Sequence, residues 1–221
     1  MSGFYWKRHH RLLISALCVT CIFAVIRNVA RADGEGDEGF VPLFNGKDLS
    51  GWQTKGNWIY EQDGVLAARP QGRRRLFPDP DLFLWSEATY DDFVLDLEFK
   101  VEANASSGVF LRSSSSDSYI QAQIRDSHGK GEPFGNSTCG AIVGVAAPSK
   151  NMSKTAGEWN RMIITCEGDR MQVKLNGEEI INLDLSKSEK CRDVHAGHIG
   201  FENSNTAVAF RSVRVKALKR K

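Results

Sequence analysis

Usable cysteine is scarce. The chain has five cysteines, and two of them, Cys18 and Cys21, lie inside an apolar N-terminal run. Their C-x-x-C spacing there carries no redox or metal meaning. Cys139, Cys166 and Cys191 remain. An odd number allows at most one internal disulfide, with the pair left open. A disulfide-built scaffold is excluded, and a mature chain of about 190 residues buries a sufficient core without staples. An excess of charge of one sign is also missing. The formal net charge is +2, but Lys7, Arg8, Arg11, Arg27 and Arg31 all precede residue 33, and no acid does. Setting those five aside from 29 leaves 24 basic residues against 27 acidic ones, a balance of −3. Interspersed signs are not the basic patch of a nucleic-acid footprint.

Long apolar runs are absent too. The longest, Leu12 to Ile26, has 15 residues and is short of the roughly 20 that a spanning helix needs. With its basic n-region and the small-residue site Ala30-Arg31-Ala32, residues 1–32 read as a signal peptide. An uncleaved anchor is the alternative, because Arg27 and Arg31 crowd that site. Residues 33–39 (DGEGDEG) read as a flexible acidic arm, and the mature chain has no membrane span.

Familiar catalytic motifs are missing as well. There is no Gly-rich phosphate loop, no zinc-spaced His or Cys pattern and no G-x-S-x-G elbow. His195 and His198 have a metal-like separation, but on a strand they point to opposite faces. We therefore assign neither metal nor cofactor.

What the chain does have is alternation. Phe93, Leu95, Leu97 and Phe99 alternate with Val94, Asp96, Glu98 and Lys100. Tyr119, Gln121, Gln123 and Arg125 alternate with Ile120, Ala122 and Ile124. Period two means half-buried strands. If the apolar sides share one core, the other sides form one polar face carrying Asp96, Glu98, Arg112, Gln121 and Gln123. Carboxylates, amides and a guanidinium suit hydroxyl-rich ligands, whose hydroxyls both donate and accept. A plain solvated sheet face is the other reading.

Turn signals punctuate the rest. Asp63-Gly64 between Trp58–Tyr60 and Val65–Ala68 reads as a hairpin. Gly168-Asp169 and Asn176-Gly177 divide residues 158–183 into an antiparallel meander. Residues 69–85, with the run Arg73–Arg75, read as a loop; a phosphate contact is the sharper alternative. Residues 127–154 form a long loop around a short apolar insert, Ala141–Ala146, and loops of that length are often functional rims. Asn104, Asn136 and Asn151 head glycosylation acceptor patterns. Residues 184–194 form a charged connection with room for a helical turn. Roughly a dozen short strands without a long helix predict an all-β sandwich.

An ordered set of motifs resembles the 3-keto-disaccharide hydrolase domain family. They are FVPLFNGKDLSGWQ, FVLDLEFKV…SSGVFLR, YIQAQIRDSHG, GEWNRMIIT, VKLNGEEI and GHIGFEN…VAFRSVRVKAL, covering residues 40–218. The resemblance implies a concanavalin A-like jelly roll of two antiparallel sheets, with sugar on the concave face. It implies a secreted or periplasmic carbohydrate-active protein whose partner is a carbohydrate ligand or substrate. It implies Glu98, Asp126 and Glu202 as catalytic candidates, and Arg112, Gln121, Gln123 and His128 as substrate-binding ones. Two departures stand out. Gln121 occupies the place of the family's Glu, and Glu202-Asn203-Ser204-Asn205 stands where the family often has Gln-x-His-Gly.

Two functions compete. A hydrolase or lyase cleaving glycosides or 3-keto-glycosides would bring Glu98, Asp126 and Glu202 to one pocket, with at least one carboxyl buried enough to raise its pKa. A lectin-like binding module would expose Trp52, Trp58, Trp85 or Tyr119 for stacking on sugar rings.

Overall fold

The computed structural model describes residues 38–70, 83–114 and 118–219. The signal-peptide reading, most of the acidic arm and the run Arg73–Arg75 lie outside the described residues.

Thirteen strands occur among them. They are β1 Val41–Pro42, β2 Trp52–Gln53, β3 Trp58–Tyr60, β4 Leu66–Ala68, β5 Leu84–Tyr90, β6 Phe93–Val101, β7 Ser106–Ser113, β8 Ile120–Arg125, β9 Asn160–Glu167, β10 Arg170–Leu175, β11 Glu178–Asp184, β12 Gly197–Phe201 and β13 Val208–Ala217. One sheet has the order β11-β10-β9-β6-β13-β4-β3, with β1 paired to β13; the other has the order β2-β5-β12-β7-β8. Every pairing is antiparallel. The chain is an all-β sandwich.

Local chemistry explains the meander. Asn176 and Gly177 both take positive φ, 52° and 90°, the pair of left-handed residues that a tight hairpin between right-twisted strands requires. The β3–β4 hairpin forms with Trp58 opposite Ala68. The charged connection after β11 holds one 3-10 turn, Leu185–Lys187, capped by the Asp184 side chain accepting from Ser186 N.

The apolar sides do share one core. Phe93, Leu95, Leu97 and Phe99 of β6 are fully buried, as are Ile120, Ala122 and Ile124 of β8. Phe201 from the five-stranded sheet meets Phe210 from the eight-stranded sheet at 4.5 Å between ring centres. Trp52 and Trp58 belong to this core. Cys139, Cys166 and Cys191 are free and buried, and burial pushes the Cys139 and Cys166 thiols up to about 12.

The single polar face does not exist. After β6 the chain turns a corner, with Ala105 N donating to Glu102 O, and crosses to the other sheet before β7. In a sandwich, two strands with inward apolar sides on opposite sheets must point their polar sides in opposite directions. Asp96 and Glu98 therefore lie on the outer surface of the eight-stranded sheet. Gln121 and Gln123 lie on the outer surface of the five-stranded one.

Arg112 lies on neither surface. Between Phe110↔Gly200 and Ser113↔His198, β7 uses one residue more than β12, which is a β-bulge. Arg112 takes a φ of 51° there and is 1% exposed. Its Nε donates to Asp91 O at 2.7 Å, Nη1 to Gly168 O at 2.9 Å and Nη2 to Asp92 Oδ1 at 3.0 Å. Gly168 N donates to the same Asp92 oxygen at 2.8 Å. The guanidinium thus ties β7 to the β5–β6 and β9–β10 turns.

The insert at Ala141 closes an edge. Gly140 N donates to Gln123 O, Gln123 N to Ala141 O, and Val143 N to Gln121 O. These bonds satisfy the outer edge of β8, which would otherwise present unpaired backbone.

Candidate functional site on the five-stranded sheet

The site grows from β12. Ile199 and Phe201 point into the core, so Gly200 and the following Glu202 face outward. Glu202 N donates to Gly108 O at 2.9 Å, and Ser107 Oγ donates to Glu202 O at 2.8 Å. The backbone bond continues the β12–β7 pairing past the strand end, and the Ser107 hydroxyl adds to it, so together they fix where the Glu202 side chain starts.

Its carboxyl has two neutral partners. Gln121 Nε2 donates to Oε2 at 2.8 Å, and Ser204 Oγ donates to Oε1 at 2.6 Å. Gln121 belongs to β8, and β7 lies between β8 and β12. The amide reaches across because the intervening outward residue is Gly108. A Cβ at 108 would stand 2.3 Å from Gln121 Nε2, so any side chain there blocks the crossing. Glu202 is 7% exposed. Burial pushes its carboxyl above the usual range, and the bonds from Ser204 and Gln121 pull it back only in part.

Aromatic rings occupy the same surface. Trp85 lies directly opposite Gly200 across the β5–β12 pair. Phe83 stacks on Phe110 at 5.0 Å, Trp85 tilts against Phe110 at 5.1 Å, and Tyr119 meets Phe110 edge-on at 5.0 Å. Phe83 and Phe110 are buried, while Trp85 and Tyr119 are half-buried.

The other candidates separate from this centre. Glu98 bonds Arg211 Nε at 2.8 Å on the opposite outer surface, so the expected convergence of Glu98 with Glu202 is overturned. Arg112 is buried with Nε and both terminal nitrogens engaged, which removes it from contact with a ligand. Gln123 stays on the correct surface, but its Nε2 is spent on Ser106 Oγ, Ser107 O and Ile124 O. Asp126 Oδ2 accepts from Asn104 N at 2.9 Å and so holds the β6–β7 corner, where Asn104 has a φ of 63°. His128 is exposed, and its Nδ1 lies 2.8 Å from Ser153 O. Nδ1 must donate to a carbonyl. His128 thus belongs to the long loop, which Asn151 also pins by donating to Ser127 O and Lys130 O.

His195 and His198 do not form a pair. His198 Nδ1 bonds Ser86 O at 2.7 Å, and His195 lies 3.8 Å from Asp169. No cluster of three or more His, Cys, Asp or Glu suited to a metal occurs among the described residues. A cavity of about 870 Å³ lies between the Gly144–Val145 turn, the β9–β10 turn and the end of β11, and none of the candidate residues lines it.

Sequence reasoning missed Gly108, Gly200 and Ser204 as members of this centre. Alternation places Gly108 between Ser106 and Phe110 on the outward side of β7, which was the available signal. Nothing local announces that Ser204 curls back on Glu202.

Residues 39–216 match the family described as the 3-keto-alpha-glucoside-1,2-lyase-like domain. Two solved structures of candidate glycosyl hydrolases from Parabacteroides distasonis are similar. One is 27% identical, covering 81% of this chain and 99% of that one, with a TM-score of 0.68. The other is 21% identical, covering 82% and 95%, also at 0.68. The carbohydrate binding module CBM66 of Bacillus subtilis shares the fold at 16% identity, covering 76% and 96%, with a TM-score of 0.53. No curated protein matches the chain.

Proposed function

The chain belongs to the 3-keto-alpha-glucoside-1,2-lyase-like domain family, and from that premise we propose that it cleaves a glycoside, in its 3-keto form, with Glu202 as the base. The observation that carries the proposal is a single carboxyl, nearly buried, held by Gln121 and Ser204 on an aromatic surface, its pKa raised by burial. A 3-keto group acidifies the proton on C2. Glu202 takes that proton, the electron pair forms the C1=C2 double bond, and the C1–O bond breaks. The leaving oxygen takes a proton from water, and the hydroxide so formed takes the proton from Glu202, which restores the base. A raised pKa strengthens the base, and two positioned donors keep its oxygens aimed. On this reading the apolar N-terminal run directs the domain out of the cytoplasm.

The test is turnover on a panel of glycosides and 3-keto-glycosides, comparing wild type with Glu202→Gln. The expected result is cleavage of 3-keto substrates that falls about 10²–10⁴-fold in the variant. Equal turnover in both proteins would remove Glu202 from the chemistry.

A second reading is a lectin-like carbohydrate-binding module. Its specific support is that Glu98 and Asp126 are committed to structural partners, while Trp85 and Tyr119 stay half-buried on the same surface. Saturable sugar binding without any product would favour it.

A further inference from the structure

Most aromatic side chains among the described residues are buried or carry a cation against the ring. Trp52 and Trp58 are core. Trp159 lies on the opposite sheet with Arg211 4.1 Å and Lys100 5.0 Å from its ring centre. Phe83 and Phe110 are buried. Tyr119 carries the Lys190 ammonium 5.2 Å from its ring centre, and that ammonium is anchored by donating to Val143 O.

Trp85 is different. Its six-membered ring lies on the backbone of Gly200: a Cβ at 200 would stand 2.4 Å from both Cε3 and Cζ3. Phe83 and Phe110 hold it in tilted contacts, at 6.0 and 5.1 Å between ring centres. The indole is thus laid flat against the sheet and is still half-buried rather than buried. Gly200 and Glu202 are two residues apart on one strand, so their outward directions are parallel and about 6.5 Å apart. That span is of the order of one sugar ring.

We infer that the outward face of Trp85 is a stacking platform for the pyranose ring of the ligand, positioned by Gly200 so that a ring resting on it presents its edge to Glu202. This rests on the carbohydrate reading of the site and adds the subsite to it. The chemistry fits, because the C–H face of a pyranose is apolar and a flat π-surface recognises it, while Gln121 and Ser204 address the polar edge. Trp85 is a binding and positioning residue, not a catalytic one.

The test uses the full mature chain and two probes, methyl α-glucoside and methyl 3-keto-α-glucoside, titrated calorimetrically into the non-turning Glu202→Gln protein. Adding Trp85→Ala is expected to weaken binding of the 3-keto probe about tenfold. Trp85→Phe should fall between. Gly200→Ala, which keeps the indole but lifts it off the strand, should also weaken binding while near-ultraviolet dichroism reports a folded core. In the active protein, Trp85→Phe should raise KM more than it lowers kcat. Unchanged affinity in both Trp85→Ala and Gly200→Ala overturns the platform, even if wild type turns over. Weakened binding in a protein that never turns over supports the platform while the lyase reading fails. No saturable binding of either probe to Glu202→Gln or to wild type overturns the platform outright.

Discussion

The two outer surfaces of the sandwich treat a buried carboxyl in opposite ways. On the eight-stranded sheet, Asp96 is 1% exposed and sits between two guanidinium groups. Arg161 Nε and Nη2 bond its two oxygens at 2.9 and 3.0 Å, and Arg214 Nε adds a bond at 2.8 Å. Burial pushes the Asp96 carboxyl up, but the bonds and charges of Arg161 and Arg214 outweigh it and hold the group below its usual range. On the five-stranded sheet, Glu202 is almost as buried but is held by an amide and a hydroxyl, and its pKa rises. Neutral donors orient a carboxylate without paying the full cost of desolvating its charge. A surface that neutralises its carboxylates with cations is built to stay as it is, whereas one that holds a buried carboxyl with neutral donors makes it a stronger base.

The largest effect expected from this contrast is on stability. Asp96→Ala leaves Arg161 and Arg214 facing each other without their shared anion, and removing one partner of a buried ion pair costs about 3–5 kcal/mol. Thermal melts should show a fall of roughly 2–4 °C per kcal/mol for a domain of this size. The folded fraction should keep its kcat, since the change lies on the other sheet. A loss of kcat with an unchanged melting temperature would break the division between the two surfaces.

A smaller effect tests the amide–carboxyl pair itself. The resemblance implies a glutamate at position 121, and Gln121 and Glu202 are bonded at 2.8 Å. Exchanging them, as Gln121→Glu with Glu202→Gln, keeps that bond with donor and acceptor reversed. Steady-state kinetics should show the double variant recovering part of the turnover that Glu202→Gln alone loses. No recovery would mean that the carboxyl must stand on the β12 side.

The smallest effect is a mirror-image pH dependence. Glu202 has a folded pKa above its unfolded value of about 4.3, so it binds protons more tightly when folded. The wild-type chain therefore matches Glu202→Gln below that pH. It loses stability relative to the variant as pH rises through the folded pKa. Asp96 has a folded pKa below its unfolded value of about 3.9. Its advantage over Asp96→Asn is present above that pH and disappears as pH falls through the folded pKa. Melting temperatures across a pH series check both signs. Parallel curves for the two substitutions would contradict the opposite treatment of the two carboxyls.

Much of the architecture was legible beforehand. Period-two alternation in Phe93–Phe99 and Ile120–Ile124, and turn residues such as Asn176-Gly177, are local signals, because side-chain direction and turn geometry are set within a few residues. The β3–β4 hairpin and the meander follow from them. Glu202 and Gln121 were also within reach as outward residues of strands, but Trp85 was not, because residues 69–85 read as a loop whereas β5 begins at Leu84.

The site itself was only partly legible. Alternation says that Glu98 and Gln121 both point away from the core, but not that they point away in opposite directions; that depends on which sheet each strand joins. Arg112 reads as an outward residue until a one-residue bulge turns it toward the sandwich end, and the bulge exists only through the register of β7 against β12. By itself, the sequence determined strands, turns and an all-β sandwich, because those arise from neighbours along the chain. Only the tertiary structure decided that Gln121 crosses above Gly108 to Glu202, that Trp85 lies on Gly200, and that Glu98 is paired away on the far surface. Those relations join residues tens of positions apart, and the pairing of strands and the packing of two sheets bring them together.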